Sequence, residues 1–150
     1  GNLYTTGFFY SDATFGSTTL TSSGGSTDIF VTKLGSDGSV VWAKSFGGTD
    51  YTTDYTVGTS IATDNSGNLY TTGFFAGSAT FGSTTLTSNG NSNIFVTKLN
   101  SDGSVAWAKS FGGLGEDYGY SIATDSSGNL YTTGNYSGYV TFGSTTLNPS

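Results

Sequence analysis

Two short runs of strand-forming residues flank a polar turn near the centre of the chain. The run Ser60–Thr63 and the run Leu69–Thr72 are separated by Asp-Asn-Ser-Gly-Asn at 64–68. Asp and Asn side chains hydrogen-bond to nearby backbone amides, and Gly67 adopts a positive φ at no steric cost. The pattern therefore predicts an antiparallel β-hairpin.

Longer segments are apolar on both faces of the predicted strand. In the segment 28–34, Ile29 and Val31 lie on one face and Phe30 lies on the other, and the segment 40–46 is similar. Because a solvated antiparallel sheet carries one polar face, both faces of these strands must be covered. Helical spacing of apolar residues is not sustained anywhere, and the high glycine content opposes helix formation.

The chain repeats itself with a long period. The hairpin segment returns at 121–134, and its second half also forms residues 1–7. We therefore divide the chain into units 1–66, 67–127 and a partial unit 128–150. The difference in length between the first two units falls in loops, as expected of structural repeats whose strands are preserved.

A smaller motif also recurs in each unit. Residues 13–20 return as 79–86 and as 140–147, each with a central Gly-Ser. This motif predicts a small additional hairpin whose apolar anchors in the first unit are Phe15 and Leu20.

Small antiparallel sheets that are apolar on both faces and repeat in tandem are typical of β-propeller blades. We predict an all-β fold of tandem four-stranded antiparallel blades, with about two and a third repeats in this chain. The β-solenoid is the alternative, although one coil would not need so many turns. Because roughly three or more repeats are needed for a stable array, the expected partners are further blades of a longer parent chain or other copies of this chain.

The composition removes most catalytic chemistry. The chain contains no His, Cys, Met, Arg or Gln, and its four lysines against ten acids give a net charge of −6. Without His or Cys there is no nucleophilic triad of the usual kind and no soft metal site. We therefore expect a protein that is not an enzyme, with no catalytic residue, no metal and no cofactor.

Charge and hydropathy also bear on partners and location. The acidic surface repels a polyanion, so nucleic acid is not an expected partner. No run of 18 apolar residues exists, so membrane insertion is not expected. The chain starts at Gly1 in mid-hairpin, which indicates a fragment or a processed product. The surface, rich in Thr, Ser and Gly, is typical of extracellular or cell-surface proteins.

Two loops are the candidate ligand face. Residues 49–55 and 115–120 are predicted to join the outermost strand of one blade to the innermost strand of the next, where loops carry function on a rigid scaffold. Carboxylates accept hydrogen bonds from hydroxyl-rich ligands, and tyrosine rings stack on sugar faces, so a carbohydrate or protein ligand is expected. The candidate binding residues are Asp50, Tyr51, Asp54, Tyr55, Glu116, Asp117, Tyr118 and Tyr120.

Each of these features also has a simpler interpretation. Asp54 and Asp117 would equally cap turns, which is a common role for Asp. Glu116 with Asp117 is a poor glycosidase pair because adjacent side chains rarely face each other across a substrate. The turn 64–68 resembles the start of a calcium-binding EF-hand loop, but it lacks the alternating acids and the closing Glu, so a simple turn is favoured.

The two tryptophans occupy equivalent repeat positions. Trp42 and Trp107 are expected to pack in blade cores rather than stack on sugars, since periodic apolar positions are usually core. The lysines also repeat and are expected to cover apolar surface with their stems. They lie at positions 33, 44, 98 and 109.

The order of motifs resembles the bacterial SBBP-type β-propeller repeat family. The resemblance covers essentially the whole chain, and the matching residues include Trp107–Gly113, Asp117-Tyr118-Gly119, Ile122–Asp125, Gly128–Tyr131 and Gly134. In the first unit the loop is longer, and we align Asp54-Tyr55-Thr56 with Asp117-Tyr118-Gly119. The resemblance implies an exported or surface protein with a binding or scaffolding role, and it implies no conserved active site.

Three functions remain open at this stage. The first is a non-enzymatic extracellular scaffold or adhesin that binds its ligand through the inter-blade loops. The second is a structural subunit of a self-assembling oligomer or surface filament. The third is a fragment of a propeller hydrolase or lyase whose site lies elsewhere in the parent chain.

Overall fold

The computed structural model describes residues 1–148, and all of its regular structure in that range is β-strand. The strands are β1 Leu3–Phe9, β2 Asp12–Phe15, β3 Thr18–Thr21, β4 Asp28–Leu34, β5 Val40–Phe46, β6 Tyr55–Thr63, β7 Leu69–Ala76, β8 Ser78–Phe81, β9 Thr84–Thr87, β10 Asn93–Leu99, β11 Val105–Phe111, β12 Asp117–Thr124, β13 Leu130–Tyr136, β14 Val140–Phe142 and β15 Thr145–Leu147. Within residues 1–148, no helix has the length and hydropathy needed to cross a membrane.

The strands form three successive sheets. The middle sheet has four strands in the order β11-β10-β7-β6, the first sheet has the order β1-β4-β5, and the third sheet consists of β12 and β13. Every pairing within these sheets is antiparallel. The predicted all-β fold with a four-stranded antiparallel blade is confirmed, and the predicted central hairpin is β6–β7.

Three small hairpins accompany the sheets. The pairs β2–β3, β8–β9 and β14–β15 form separate two-stranded ladders, as the recurring Gly-Ser motif predicts. The middle sheet takes its strands from Tyr55 to Phe111, so it combines the end of unit 1–66 with most of unit 67–127. Residues 149 and 150 of the unit 128–150 lie outside the described part of the chain.

One face of the middle sheet packs against the first sheet. Phe95 and Leu99 of β10 project from this face and are completely buried, together with Ile29 and Val31 of the first sheet. The hairpin β8–β9 fills the same interface, because Phe81 stacks on the ring of Phe46 at a centroid distance of 5.6 Å. The core thus lies between blades rather than inside one blade.

The opposite face of the middle sheet packs against the third sheet. Tyr70 and Val96 on this face contact Ile122 of β12, with Trp107 and Leu130 at the margin. The strand β10 is therefore buried on both faces, as its sequence pattern predicts. Since the two faces meet different neighbours, a single sheet of this chain could not bury them alone.

Trp42 joins two blades at the outer strands. Its indole N–H donates a hydrogen bond of 3.3 Å to the carbonyl of Ser101, and the Lys33 ammonium donates one of 3.4 Å to the same oxygen. Gly103 in that turn has a φ of 84°, and a Cβ there would lie 3.2 Å from the Trp42 ring. The tryptophan is half-buried and serves the blade contact, as predicted for a packing residue.

Repeat-equivalent phenylalanines provide a test of this packing. Phe81 is fully buried between the first and middle sheets, whereas its counterpart Phe15 is half-buried. We expect Phe81→Ala to lower the free energy of unfolding by about 3–5 kcal/mol. Phe15→Ala should lower the free energy of unfolding by clearly less. Urea denaturation of both variants measures the difference, and equal losses would contradict an interface located between sheets.

Candidate functional site

The two candidate loops cross between neighbouring sheets. One leads from β5 at the edge of the first sheet to β6 at the edge of the middle sheet. The other leads from β11 to β12 in the same way. Each loop is pinned by a parallel bridge from the residue that precedes β4 or β10, namely Thr27 to Tyr55 and Ser92 to Glu116. The bridges therefore fix the point at which each loop joins the next sheet.

The strand register corrects the alignment of the two loops. Gly58 pairs with Gly73, and Gly119 pairs with the equivalent Gly134, so Gly58 and Gly119 correspond. Asp117 then corresponds to Thr56, and not to Asp54 as the sequence alignment predicted. The alignment was wrong by two residues because the longer first loop carries its own Asp-Tyr pair just before the strand begins.

Asp54 is buried and organises the first loop. Its Oδ2 accepts hydrogen bonds of 3.0 Å from the amides of Thr49 and Asp50, and its Oδ1 accepts one of 3.0 Å from the amide of Ser78. Burial alone would raise the pKa of this carboxyl, but the backbone hydrogen bonds, above all that from Ser78, outweigh burial and lower it. The carboxylate thus ties the loop to the next small hairpin.

Asp117 has the same role in the second loop although it stands two positions later. It is fully buried, and it accepts hydrogen bonds from the amides of Gly113 at 2.8 Å and Ser137 at 3.3 Å. Both carboxylates are directed into the protein. The structure therefore places them beneath the candidate surface, in the turn-capping position that was the simpler interpretation.

Asp50 and Tyr51 form the exposed tip of the first loop. Asp50 Oδ1 accepts hydrogen bonds from the Thr52 hydroxyl at 2.6 Å and from the Thr52 amide at 2.9 Å, which lower the pKa of its carboxyl. The Tyr51 side chain is 74% exposed. No ring contact ties Tyr51 to the other candidate tyrosines among the aromatic pairs of residues 1–148.

Four aromatic rings form a row beside the loops, which we call the aromatic row. Tyr55 packs edge-on against Phe74 with centroids 6.1 Å apart, and Phe74 packs edge-on against Tyr118 at 4.5 Å. Tyr118 in turn stacks with Tyr120 at 6.5 Å. Three candidate tyrosines at the starts of β6 and β12 are thus brought together by Phe74, which sequence reasoning missed.

The signal for Phe74 was weak in the sequence. Its equivalents in the other copies of the Leu-Tyr-Thr-Thr-Gly run are Phe8 and Asn135, so the position is not uniformly aromatic. Only the packing of the third sheet against the middle sheet reveals that Phe74 lies beside Tyr118 at the start of β12.

Glu116 adds a carboxylate at one end of the aromatic row. Its side chain is exposed, while Tyr118 beside it is half-buried. Burial raises the pKa of the Tyr118 phenol, and a hydrogen bond with the Glu116 carboxylate raises it further. The row therefore presents ring surface, neutral hydroxyls and one carboxylate acceptor.

The turns 64–68 and 125–129 each use the carboxylate of their one Asp within the turn itself. Asp64 accepts hydrogen bonds from the amides of Ser66 and Asn68, the Asn68 side chain and the Tyr70 hydroxyl. Asp125 has the equivalent four bonds in the next unit. These contacts use both carboxylate oxygens, which favours the turn over a calcium loop.

Part of the chain matches a known protein-family model. Residues 106–135 match the family described as SBBP, the β-propeller repeat. The chain carries an SBBP β-propeller repeat. The matched repeat runs from β11 to β13 and includes Glu116, Tyr118 and Tyr120. No curated protein matches the chain.

The buried carboxylate of Asp54 predicts that the stability of the fold is sensitive to acid. Because the folded-state pKa of Asp54 lies below its unfolded value of about 3.9, its stabilising contribution is present above that pH and is lost as the pH falls below it. The melting temperature should therefore decrease as the pH is lowered below about 4. Asp54→Asn should lower it at pH 7 and flatten the acid limb.

Circular dichroism melts between pH 7 and pH 2 test this expectation. The control is Asp37→Asn, because Asp37 is exposed and accepts hydrogen bonds only within its own turn, from the Ser39 amide and hydroxyl. An Asp54→Asn variant that follows the wild-type pH profile would contradict the role assigned to this carboxylate.

Proposed function

We propose that this propeller-type chain is a non-enzymatic, extracellular or cell-surface module that acts as a scaffold or adhesin and binds carbohydrate at the aromatic row. The observation that supports the proposal is the convergence of Tyr55, Tyr118 and Tyr120 around Phe74. These residues come from two neighbouring sheets, so the row exists only when blades are stacked.

The chemistry of the row suits a hydroxyl-rich ligand. Tyr120 is 52% exposed and offers a ring face with a polar tip, an amphipathic combination common at binding surfaces. Glu116 offers an exposed acceptor for sugar hydroxyls. Since the rings are held by mutual packing, little side-chain entropy would be lost on binding.

The arrangement of acids supports a binding role over hydrolysis. Glu116 is exposed while Asp117 is fully buried and engaged with backbone amides, so the two do not face a common substrate. Asp54 is likewise committed to the loop. A hydrolase or lyase site elsewhere in a parent chain stays a prediction that residues 1–148 do not address.

Substitution of Tyr120 tests the proposed carbohydrate site. Tyr120→Ala should reduce glycan binding by roughly two- to tenfold, because stacking on one aromatic ring contributes about 0.5–1.5 kcal/mol. Tyr131→Ala is the matched control, since Tyr131 has a similar exposure of 58% but lies at the far end of the inner hairpin. Glycan-array screening followed by titration calorimetry measures both.

The outcomes separate the ligand classes. A glycan whose binding is lost with Tyr120→Ala and kept with Tyr131→Ala supports the proposal. Absence of any glycan binding, or binding to a protein ligand alone, would contradict it.

A second candidate function is a structural subunit of an oligomer or filament. The strand β13 repeats the Leu-Tyr-Thr-Thr-Gly sequence of β1 and β7, and both of those pair with a strand of sequence Ile-Phe-Val-Thr-Lys-Leu. In contrast to the buried β7, residues 131–135 of β13 are exposed. An unpaired edge of this kind is a template for pairing with another chain.

Solution mass tests this assembly. Light scattering should give a mass above the monomer value of 15.4 kDa that rises with concentration. Thr132→Lys, which places a charge on β13, should shift the distribution to monomer, while Thr85→Lys on the hairpin β8–β9 should not. A well-folded wild-type monomer at all concentrations would exclude this function.

A further inference from the structure

A groove runs along the outer edge of β13, between the middle sheet and the small hairpin β14–β15. Two adjoining cavities of about 410 Å³ and 170 Å³ form it, and Thr132 and Phe142 line both of them. We call this space the edge groove. Within residues 1–148, β13 pairs with β12 alone, so its groove side is open. The middle sheet contributes an apolar wall of Ile94, Val96, Trp107 and Phe111.

The equivalent space at the preceding junction is filled by a strand. There β10 pairs with β7, which is the counterpart of β13, and β10 places Phe95 and Leu99 between the first and middle sheets. Both side chains are completely buried. The edge groove is therefore the place that a strand equivalent to β10 would take in the third sheet. Its occupant should carry Phe and Leu four positions apart, on one face of the strand.

Two strands of the chain meet this requirement, and one of them has apolar surface to spare. β10 carries Phe95 and Leu99, and β4 carries Phe30 and Leu34 at the equivalent positions. Phe30 and Leu34 are only half-buried, because the described part of the chain places the small hairpin β2–β3 over their face and no further sheet. In a second copy of the chain, β4 is thus the strand that gains most from the groove.

The ring of Phe81 lies between two other rings at the filled junction. Its centroid is 5.6 Å from that of Phe46 in the first sheet and 5.0 Å from that of Phe95 in its own sheet. The equivalent Phe142 stacks on Phe111 at 5.5 Å, which reproduces the contact with Phe46. Among residues 1–148, no ring takes the place of Phe95 beside Phe142. The edge groove therefore lacks one ring of a three-ring stack.

Phe15 stands in the opposite situation in the first sheet. It packs on Phe30 of its own sheet at 4.8 Å, but no ring of a preceding sheet reaches it within the described residues. Phe15 and Phe142 are half-buried, whereas Phe81 is fully buried. Each of the two end sheets therefore offers the ring contact that the other lacks.

We propose that β4 and β5 of a second copy of the chain enter the edge groove and complete the third sheet, while β1 of that second copy is displaced. The completed blade has the strand order β12-β13-β4-β5, which corresponds to the order β6-β7-β10-β11 of the middle sheet. Phe30 of the second copy then lies against Phe142. This inference rests on the assembly described above as the second candidate function, and it identifies the strands that form the contact.

The sequences of β1 and β13 make the exchange possible. Both strands contain Leu-Tyr-Thr-Thr-Gly, so β4 can form the same ladder with either of them. Thr132 takes the place of Thr5, whose hydroxyl lies 2.7 Å from that of Thr32. β1 is the edge of a three-stranded sheet, whereas β13 is backed by β12. The exchange therefore keeps the backbone pairing, adds a fourth strand and covers apolar surface of both copies.

Disulfide trapping tests the exchange, because the chain contains no Cys of its own. In the completed blade, Thr132 of one copy lies opposite Thr32 of the other, at a Cα distance of about 4.5–5.5 Å that a disulfide can span. The Thr132→Cys and Thr32→Cys proteins are refolded together from urea, so that strands can exchange, and are then oxidised. Non-reducing electrophoresis should show a linked heterodimer, and mass spectrometry should find the bond between positions 32 and 132.

Thr85→Cys in place of Thr32→Cys is the matched control. Thr85 is an exposed threonine on β9, outside the proposed contact, so its mixture with the Thr132→Cys protein should give no heterodimer above the level of random collision. Circular dichroism of each variant establishes that it folds. Equal heterodimer yields from the two mixtures would overturn the proposal.

Two equivalent phenylalanines provide a second test that needs no cysteine. Phe142→Ala removes the ring that meets Phe30 of the second copy, and it should raise the dissociation constant of the assembly by about tenfold or more. Phe15→Ala weakens the packing of the segment that must leave Phe30, so it should lower the dissociation constant. Sedimentation equilibrium over a range of concentrations measures both.

The outcomes separate the exchange from the assembly as such. Opposite effects of Phe142→Ala and Phe15→Ala, together with the bond between positions 32 and 132, support the exchange. Assembly without that bond, or assembly weakened equally by both variants, overturns the exchange and leaves edge pairing of intact sheets. A wild-type monomer at all concentrations overturns both the exchange and the assembly, and leaves the groove to a further blade of a longer parent chain.

Discussion

The structure depends on burying both faces of one four-stranded sheet. In β10, successive residues contact different neighbours, because Phe95 packs toward the first sheet and Val96 toward the third. No helix among residues 1–148 covers either face, so the covering layer must be another copy of the same unit. The unit of stability is therefore the interface between blades, and the aromatic row lies along one such interface.

Close approach of the inner strands is the second condition for this stacking. The Thr59 hydroxyl of β6 donates a 2.7 Å hydrogen bond to the carbonyl of Gly119 in β12, and the Ile122 amide donates one of 3.2 Å to the Ser60 hydroxyl. A Cβ on Gly119 would lie 2.5 Å from the Thr72 hydroxyl. Small residues thus let side-chain hydroxyls form hydrogen bonds between sheets that no backbone ladder connects.

Most of the fold could be predicted from the sequence, because strands and turns are encoded by local residue patterns. Strand-forming runs around a polar turn predicted the β6–β7 hairpin, and the recurring Gly-Ser motif predicted the small hairpins. Apolar residues on both faces of a strand predicted that both faces are buried. The equivalence of residues in the two loops depends on strand register, which is set by the pairing of β6 with β7 and of β12 with β13 and not by the loop sequence. For that reason the alignment of Asp54 with Asp117 failed, and Phe74 was recognised only through its contact with Tyr118.

Burial of the loop carboxylates separates the side chains that hold the loops in place from those that the loops expose to solvent. Asp54 and Asp117 stand at different sequence positions, yet each accepts amide hydrogen bonds that join a loop to the following small hairpin. This fixes the path of the loop while Glu116 and Tyr120 remain exposed. Because the anchoring acid can shift by two residues without loss of its role, the surface residues are free to vary between repeats. A propeller of this kind can therefore present a different surface at each blade junction on the same scaffold.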